Sequence, residues 1–290
     1  MGEKVKYGGI WLCVSLLRIL PLGMAVRCGS FLGWLLYQID RKHRNIAIDQ
    51  IRRAIGQEQQ AVRKIARRTF LNLGRTLAEV VQMATLPAEQ IERRVVVEGF
   101  EHAEAARQKG KGVIYLSAHF GNWEWMTAVL AIRGMPMVLV ARALDDPRLN
   151  AWLNACRERY GNTVLEKRVA ASQVVRLLRE GKSIGILLDQ NTRAEDAVFV
   201  NYFGRLAATH KGMATLALRT GASVVPLWME RNATHHRLVI EPGISFSRTG
   251  NLQEDIRAIT ALFTQRLETA VRLRPDHWLW LHRRWKTPPT

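Results

Sequence analysis

The sequence predicts an α/β fold: a central, largely parallel mixed sheet flanked by helices, preceded by an N-terminal hydrophobic helical segment that anchors the chain to a membrane. From residue 112 onward, short runs rich in β-branched and aromatic residues alternate with segments of helical period, the pattern of strands joined by right-handed crossovers. Several of those helical runs close on glycine before the next strand opens. Ahead of them stands the apolar stretch "GGIWLCVSLLRILPLGMAVRCGSFLGWLLYQIDRKHRN".

In that stretch Arg18, Pro21 and Arg27 interrupt every apolar run before it reaches the roughly 18 uncharged residues of a spanning helix. No small-residue site follows a short apolar core, so a cleaved signal is not indicated. Trp11 and Trp34 suit a membrane interface, and Arg41, Lys42 and Arg44 follow as they would beside anionic headgroups. Residues 1–43 are therefore expected to be a membrane-anchoring segment and residues 44–290 the main domain. The alternative is a core hairpin of two helices hinged at Pro21.

Residues 44–83 carry apolar side chains at three-to-four spacing, from Ile46 through Phe70 to Val81, and read as helix. "GVIYLSAH" is a strand, "NWEWMTAVLAIRG" a helix ending at glycine, and "MPMVLVAR" a second strand. A helix in "PRLNAWLNACRERYG", a strand in "NTVLEK", a helix in "VAASQVVRLLREG" and a strand in "KSIGILLDQ" continue the alternation. Residues 191–210 read as a loop. Helix "KGMATLALRTG", strands "ASVVPLWMERN" and "HRLVIEPG", and the helix over residues 252–275 complete the fold ahead of the tail "DHWLWLHRRWK".

Composition narrows the partners. With 43 Lys and Arg against 25 Asp and Glu, the net charge of +18 calls for something acidic: nucleic acid, an anionic membrane or a phosphorylated substrate. Three scattered cysteines, Cys13, Cys28 and Cys156, form neither a disulfide framework nor a zinc motif. "EGKS" lacks the earlier glycine of a phosphate loop and leads from helix into strand, the wrong order. There is no G-x-S-x-G, no HExxH and no glycine-rich dinucleotide loop, which argues against a serine hydrolase, a zinc protease and a Rossmann dehydrogenase.

One stretch carries chemistry. In "LSAHFGNWEW", His119 lies at the carboxyl end of a strand, where open α/β sheets bind ligands. Inside one helix a spacing of five would turn Glu124 about 140° from His119. With Phe120 and Gly121 as a turn and Asn122 capping the helix, the carboxylate can swing back to the ring. A carboxylate on one ring nitrogen fixes the tautomer and frees the other to take a proton from a bound alcohol, and the helix N-terminus favours developing negative charge. A histidine and a glutamate satisfied locally at a strand-helix turn is the bland alternative.

These motifs, with "ILLDQN", "VNYFGRLAATHKGMATLALRTGASVVPLW" and "RPDHWLWLHRRWK", resemble the lipid A late acyltransferase family, the lauroyl and myristoyl acyltransferases of the lysophospholipid acyltransferase superfamily. The resemblance covers nearly the whole chain. It implies His119 as general base with Glu124 as partner, moving a fatty acyl chain from an acyl carrier protein thioester to a hydroxyl of a phosphorylated glycolipid. It also implies a cell inner membrane location with residues 44–290 facing the cytoplasm, no cofactor, no metal and no nucleic acid. Arg142, at the end of the next strand, is expected to bind substrate phosphate, or else to pair with Asp145 or Asp146 in a solvated loop. Asp189 and Gln190 are expected to position substrate, with capping of a turn as the alternative. Arg283 and Arg284, interleaved with tryptophan, are expected to meet phosphates. Two other readings remain: the same chemistry on another glycolipid or lysophospholipid, and a non-catalytic basic module for membrane or nucleic acid.

Overall fold

Strands buried on both faces read as unbroken apolar runs, and the central strand here is of that kind. In a computed structural model, residues 2–56, 58–166, 170–232 and 235–289 are described. Four helices come first: α1 (Gly2–Ile19), α2 (Leu22–Ile39), α3 (Arg41–Ile55) and α4 (Gln59–Met83). There follow α5 (Ala88–Glu92), β1 (Val95–Glu98), α6 (Phe100–Gln108), β2 (Val113–Ser117), α7 (Trp123–Ile132), β3 (Val138–Ala141), α8 (Pro147–Glu158) and β4 (Thr163–Glu166). The chain continues through α9 (Ala170–Arg179), β5 (Ser183–Leu187), β6 (Ala197–Tyr202), β7 (Arg205–His210), α10 (Gly212–Thr220), β8 (Ser223–Asn232), β9 (His235–Ile240) and α11 (Leu252–Leu273).

Seven strands form one sheet in the order β1-β9-β8-β2-β5-β3-β4, parallel except between β8 and β9. The expected mixed sheet is thus the one observed. Two differences stand out. Residues 191–210, read as a loop, contain the antiparallel hairpin β6–β7, whose register runs from Ala197–His210 to Tyr202–Arg205. Its turn is Phe203–Gly204, with a positive φ on the phenylalanine, so the usual Asn-Gly hairpin signal is missing, and β6 opens on an apolar run without alternation. Strand β1 is also unforeseen and pairs with β9 at the sheet edge. Of the expected elements, the end of "NTVLEK" at Lys167 and the start of the next helix at Val169 lie outside the described residues.

The two-residue period of the strands divides the interior into two cores. Ile114 and Leu116 of β2 face Val174, Leu178 and Phe263, whereas Val113 and Tyr115 face the α7 side with Val129 and Leu130. Helix α4 contributes to both, Phe70 to the first and Met83 to the second.

The N-terminal helices pack on this body. Helix α2 lies along α4 through glycines four apart: a Cβ at Gly29 would collide with the Gly74 carbonyl, and one at Gly33 with the Phe70 carbonyl. Gln82 of α4 donates to the carbonyls of Leu17 (2.5 Å) and Leu20 (2.9 Å) where the chain turns at Pro21. No described helix is long and apolar enough to cross a membrane. Leu12, Leu16 and Ile19 of α1, and Met24, Phe31 and Ile39 of α2, are nevertheless exposed. Gly33→Val must push α2 off α4; we expect a loss of about 1–3 kcal/mol in urea unfolding, as overpacking costs elsewhere.

Candidate active site

Strands β2 and β5 are neighbours, parallel, with Ser117 opposite Leu187. Two residues beyond that matched pair stand His119 and Asp189, so strand pairing alone brings them to the same point on the carboxyl edge of the sheet. His119 Nδ1 meets Asp189 Oδ1 at 2.9 Å. The other carboxylate oxygen accepts the Trp278 indole N–H at 2.9 Å, and Asp189 is only 3% exposed.

The electrostatics set the tautomer. Burial by itself raises the Asp189 pKa, but the charge and hydrogen bond of His119 and the Trp278 indole outweigh it and bring the carboxyl down to about 2. An ionised carboxylate only accepts, so the neutral His119 ring keeps its proton on Nδ1 and presents the Nε2 lone pair outward. Burial of His119 opposes its protonation, yet the charge and hydrogen bond of Asp189 prevail and lift its pKa above the ordinary 6.5. Gln190, exposed, holds its amide nitrogen 3.5 Å from Nε2. The Trp123 indole stands edge-on to the imidazole with centroids 5.2 Å apart.

The loop that carries His119 is fastened on three sides. Leu279 N–H donates to the His119 carbonyl, and Gly121 N–H to the His277 carbonyl, both at 3.0 Å. Gly121 has φ +57°, and a Cβ there would strike the Met229 carbonyl oxygen, so only glycine makes this turn. Asn122 caps α7 by accepting the Trp125 N–H at 3.0 Å and donates to Glu79 at 2.8 Å. Glu79, on α4, is itself gripped by Arg231 through two 2.6 Å bonds and by His236 at 3.1 Å. Its burial is overcome by these partners, and its pKa falls to about 2. Thr69, Leu73, Trp123 and Leu279 bound a narrow slit beside the loop.

The expected residues divide. His119, Asp189 and Gln190 come together. Glu124 does not meet His119: its carboxylate takes Arg157 of α8 at 2.6 and 2.9 Å. The turn forms as expected, but the adjacent strand delivers Asp189 to the ring first, and the first turn of α7 aims Glu124 at α8. Charges of Glu124 and Arg157 still act on His119 in opposite directions. Arg142, whose side chain is 82% exposed, lies 3.4 Å from Asp145, the solvated pairing. Arg283 is exposed. Arg284 is corrected: it is 1% exposed, bonded to the Ala208 carbonyl (2.7 Å) and the Thr209 hydroxyl, with its guanidinium over the Tyr202 ring. The tail is a succession of turns, and the one at Arg284 carries its side chain inward against Tyr202 while Arg283 stays outside. Glu79, Arg157 and Arg231 were not singled out, because each lies far in sequence from its partner. Among the described residues no group of three His, Cys, Asp or Glu side chains could hold a metal ion.

With this geometry in place, comparison with known proteins finds a family model, "Bacterial lipid A biosynthesis acyltransferase", matching residues 3–287. A lipid A biosynthesis lauroyltransferase of Escherichia coli (strain K12) is 26% identical over 290 residues, 97% of this chain and 90% of that one. A lipid A biosynthesis acyltransferase of Haemophilus influenzae is 23% identical over 284 residues, 96% and 87% of the two chains. A phosphatidylinositol mannoside acyltransferase of Mycobacterium tuberculosis is 25% identical over 220 residues, 73% and 67% of the two.

Two predictions follow from the pairings. Asp189→Asn should lower the His119 pKa, read by NMR titration of the ring. The stability that the wild type holds over this variant should be largest between about pH 4 and 6.5. It should shrink as pH falls towards 2, where Asp189 protonates, and as pH rises through the elevated His119 pKa. Glu124→Ala strands a largely buried Arg157 and should cost about 3 kcal/mol in denaturant unfolding.

Proposed function

The chain belongs to the bacterial lipid A biosynthesis acyltransferase family, and from that premise we propose that it transfers a fatty acyl chain from an acyl carrier protein thioester to a hydroxyl of a phosphorylated lipid A precursor. The observation that carries the mechanism is the His119–Asp189 pair at 2.9 Å with Nε2 turned outward.

His119 Nε2 takes the proton of the acceptor hydroxyl as its oxygen attacks the thioester carbonyl. Asp189 stabilises the imidazolium that forms and holds the ring in place. The tetrahedral intermediate collapses with cleavage of the C–S bond, and the imidazolium returns the proton to the leaving thiolate. No protein nucleophile is needed, since the acceptor oxygen attacks directly. The positive end of α7, capped by Asn122, supports the developing oxyanion. Glu124 acts at one remove: with Arg157 it fixes the first turn of α7 against α8 and contributes a charge that His119 feels.

Substrate recognition is assigned to the exposed cations around this edge. Arg142 can exchange its solvated pairing with Asp145 for a phosphate and exposed Arg283 can meet another, whereas Gln190 lies beside the Nε2 of His119. The exposed apolar residues of α1 and α2, with Arg18, Arg27, Arg41 and Lys42 nearby in the chain, support a helical hairpin lying in the surface of the inner membrane. In that arrangement residues 44–290 face the cytoplasm, where a carrier protein donor is met.

The acceptor is tested in cells: mass spectrometry of lipid A from a strain lacking the protein should show a missing secondary acyl chain. An unchanged acylation pattern would exclude that acceptor in favour of another glycolipid, as the similarity to a phosphatidylinositol mannoside acyltransferase would then favour. For the mechanism, purified His119→Ala should remain folded at the assay temperature, with a lowered melting temperature because buried Asp189 loses its imidazole partner, and should lose about 10²- to 10⁴-fold in transfer rate, the range of general base catalysis. Near-normal transfer by that variant would remove the base from His119.

A further inference from the structure

A second imidazole lies at this edge without a part in the steps above. His282 is half-buried in the C-terminal tail, and its Nε2 accepts the backbone N–H of Asn191 at 2.9 Å. A backbone amide is only a donor, so Nε2 carries the lone pair and the neutral ring must hold its proton on Nδ1. Among the described residues none bonds that Nδ1. Burial, opposed by Asp189 and reinforced by the charges of Arg284, Lys286 and, once protonated, His119, keeps the His282 pKa below 6.5.

Its placement is also held. Asn191, to which the ring is bonded, follows Asp189 by two residues. Gln50 of α3 donates to the His282 carbonyl at 2.6 Å and the Trp280 carbonyl at 2.7 Å. Three residues earlier in the same tail, Leu279 is bonded to the His119 carbonyl. The ring is thus tied to the segments that carry both members of the catalytic pair, and both of their charges reach it.

We propose that His282 is a further catalytic residue, a neutral Nδ1–H donor to the thioester carbonyl oxygen as it becomes the oxyanion of the tetrahedral intermediate. This rests on the acyl-transfer reading of the site. The ring donates a hydrogen bond and exchanges no proton: the acceptor proton goes to His119 and then to the thiolate, while His282 keeps its own. A neutral donor suits this place because a second imidazolium would lower the basicity of His119.

The rival is a purely structural ring that tethers residues 190–192, and two amide variants separate the roles. An asparagine amide overlays the imidazole Nδ1, whereas a glutamine amide overlays Nε2. His282→Ala should lose about 10²- to 10³-fold in kcat with KM changed only a few-fold, the cost of one oxyanion donor. His282→Asn, which restores a donor at Nδ1 and gives up the Asn191 bond, should recover most of that rate. His282→Gln, which keeps the Asn191 bond and gives up the donor, should not. The opposite ranking, or His282→Ala with unaltered kcat and a lowered melting temperature, would overturn the donor and leave the His119 mechanism standing. Nitrogen-15 NMR of the wild type between pH 6 and 8 should show Nδ1 protonated and Nε2 bare; the other tautomer would overturn the donor with no assay of activity. Failure of the wild type itself to transfer an acyl chain would overturn the acyl-transfer reading and this role together.

Discussion

The site depends on the parallel, in-register pairing of β2 with β5. Because Ser117 and Leu187 lie opposite each other, residues two further along both strands leave the sheet at one height. The ring of His119 and the carboxylate of Asp189 then meet without any long loop to order. A carboxylate taken from water is costly unless its oxygens are used, and here both are, one by imidazole and one by the Trp278 indole. A slip of one residue in this pairing would put out of step the residues that the two strands send to the two cores, and would separate His119 from Asp189.

Helix α4 is the second organising element. Its Thr76 hydroxyl donates to the Gly121 carbonyl at 3.1 Å, its Glu79 holds Asn122, and its Asn72 donates to the Asp276 carbonyl at 3.0 Å. One side of the helix thus supports the His119 loop and the start of the tail. Another side receives α2 by glycine contact close enough to exclude any side chain. The apolar N-terminal helices and the loop of His119 are therefore carried by the same helix. Glu79 joins that helix to the sheet, since Arg231 belongs to β8 and His236 to β9.

The tail divides its labour by position. Trp278 bonds Asp189, Trp280 donates to the Pro275 carbonyl, Arg284 fills the interior against Tyr202, and Arg283 stays outside. Adjacent arginines of identical chemistry therefore differ wholly in role. Burial leaves Arg284 with a depressed pKa and protein partners alone, whereas its neighbour keeps its hydration.

From the sequence by itself came whatever depends on neighbours in the chain. Apolar period marked the strands and helices, Gly121 and Asn122 marked the turn and cap after β2, and His119 stood out at a strand end. The order of recurring motifs pointed to the family. The tertiary structure alone decided which acid meets the ring, and that Arg284 lies inside while Glu79 joins α4 to the sheet. Those contacts join residues 70 to 157 positions apart. Local periodicity reports which face of an element is apolar, but not which strand lies beside which. Once β5 is placed next to β2, Asp189 occupies the position that local spacing had offered to Glu124.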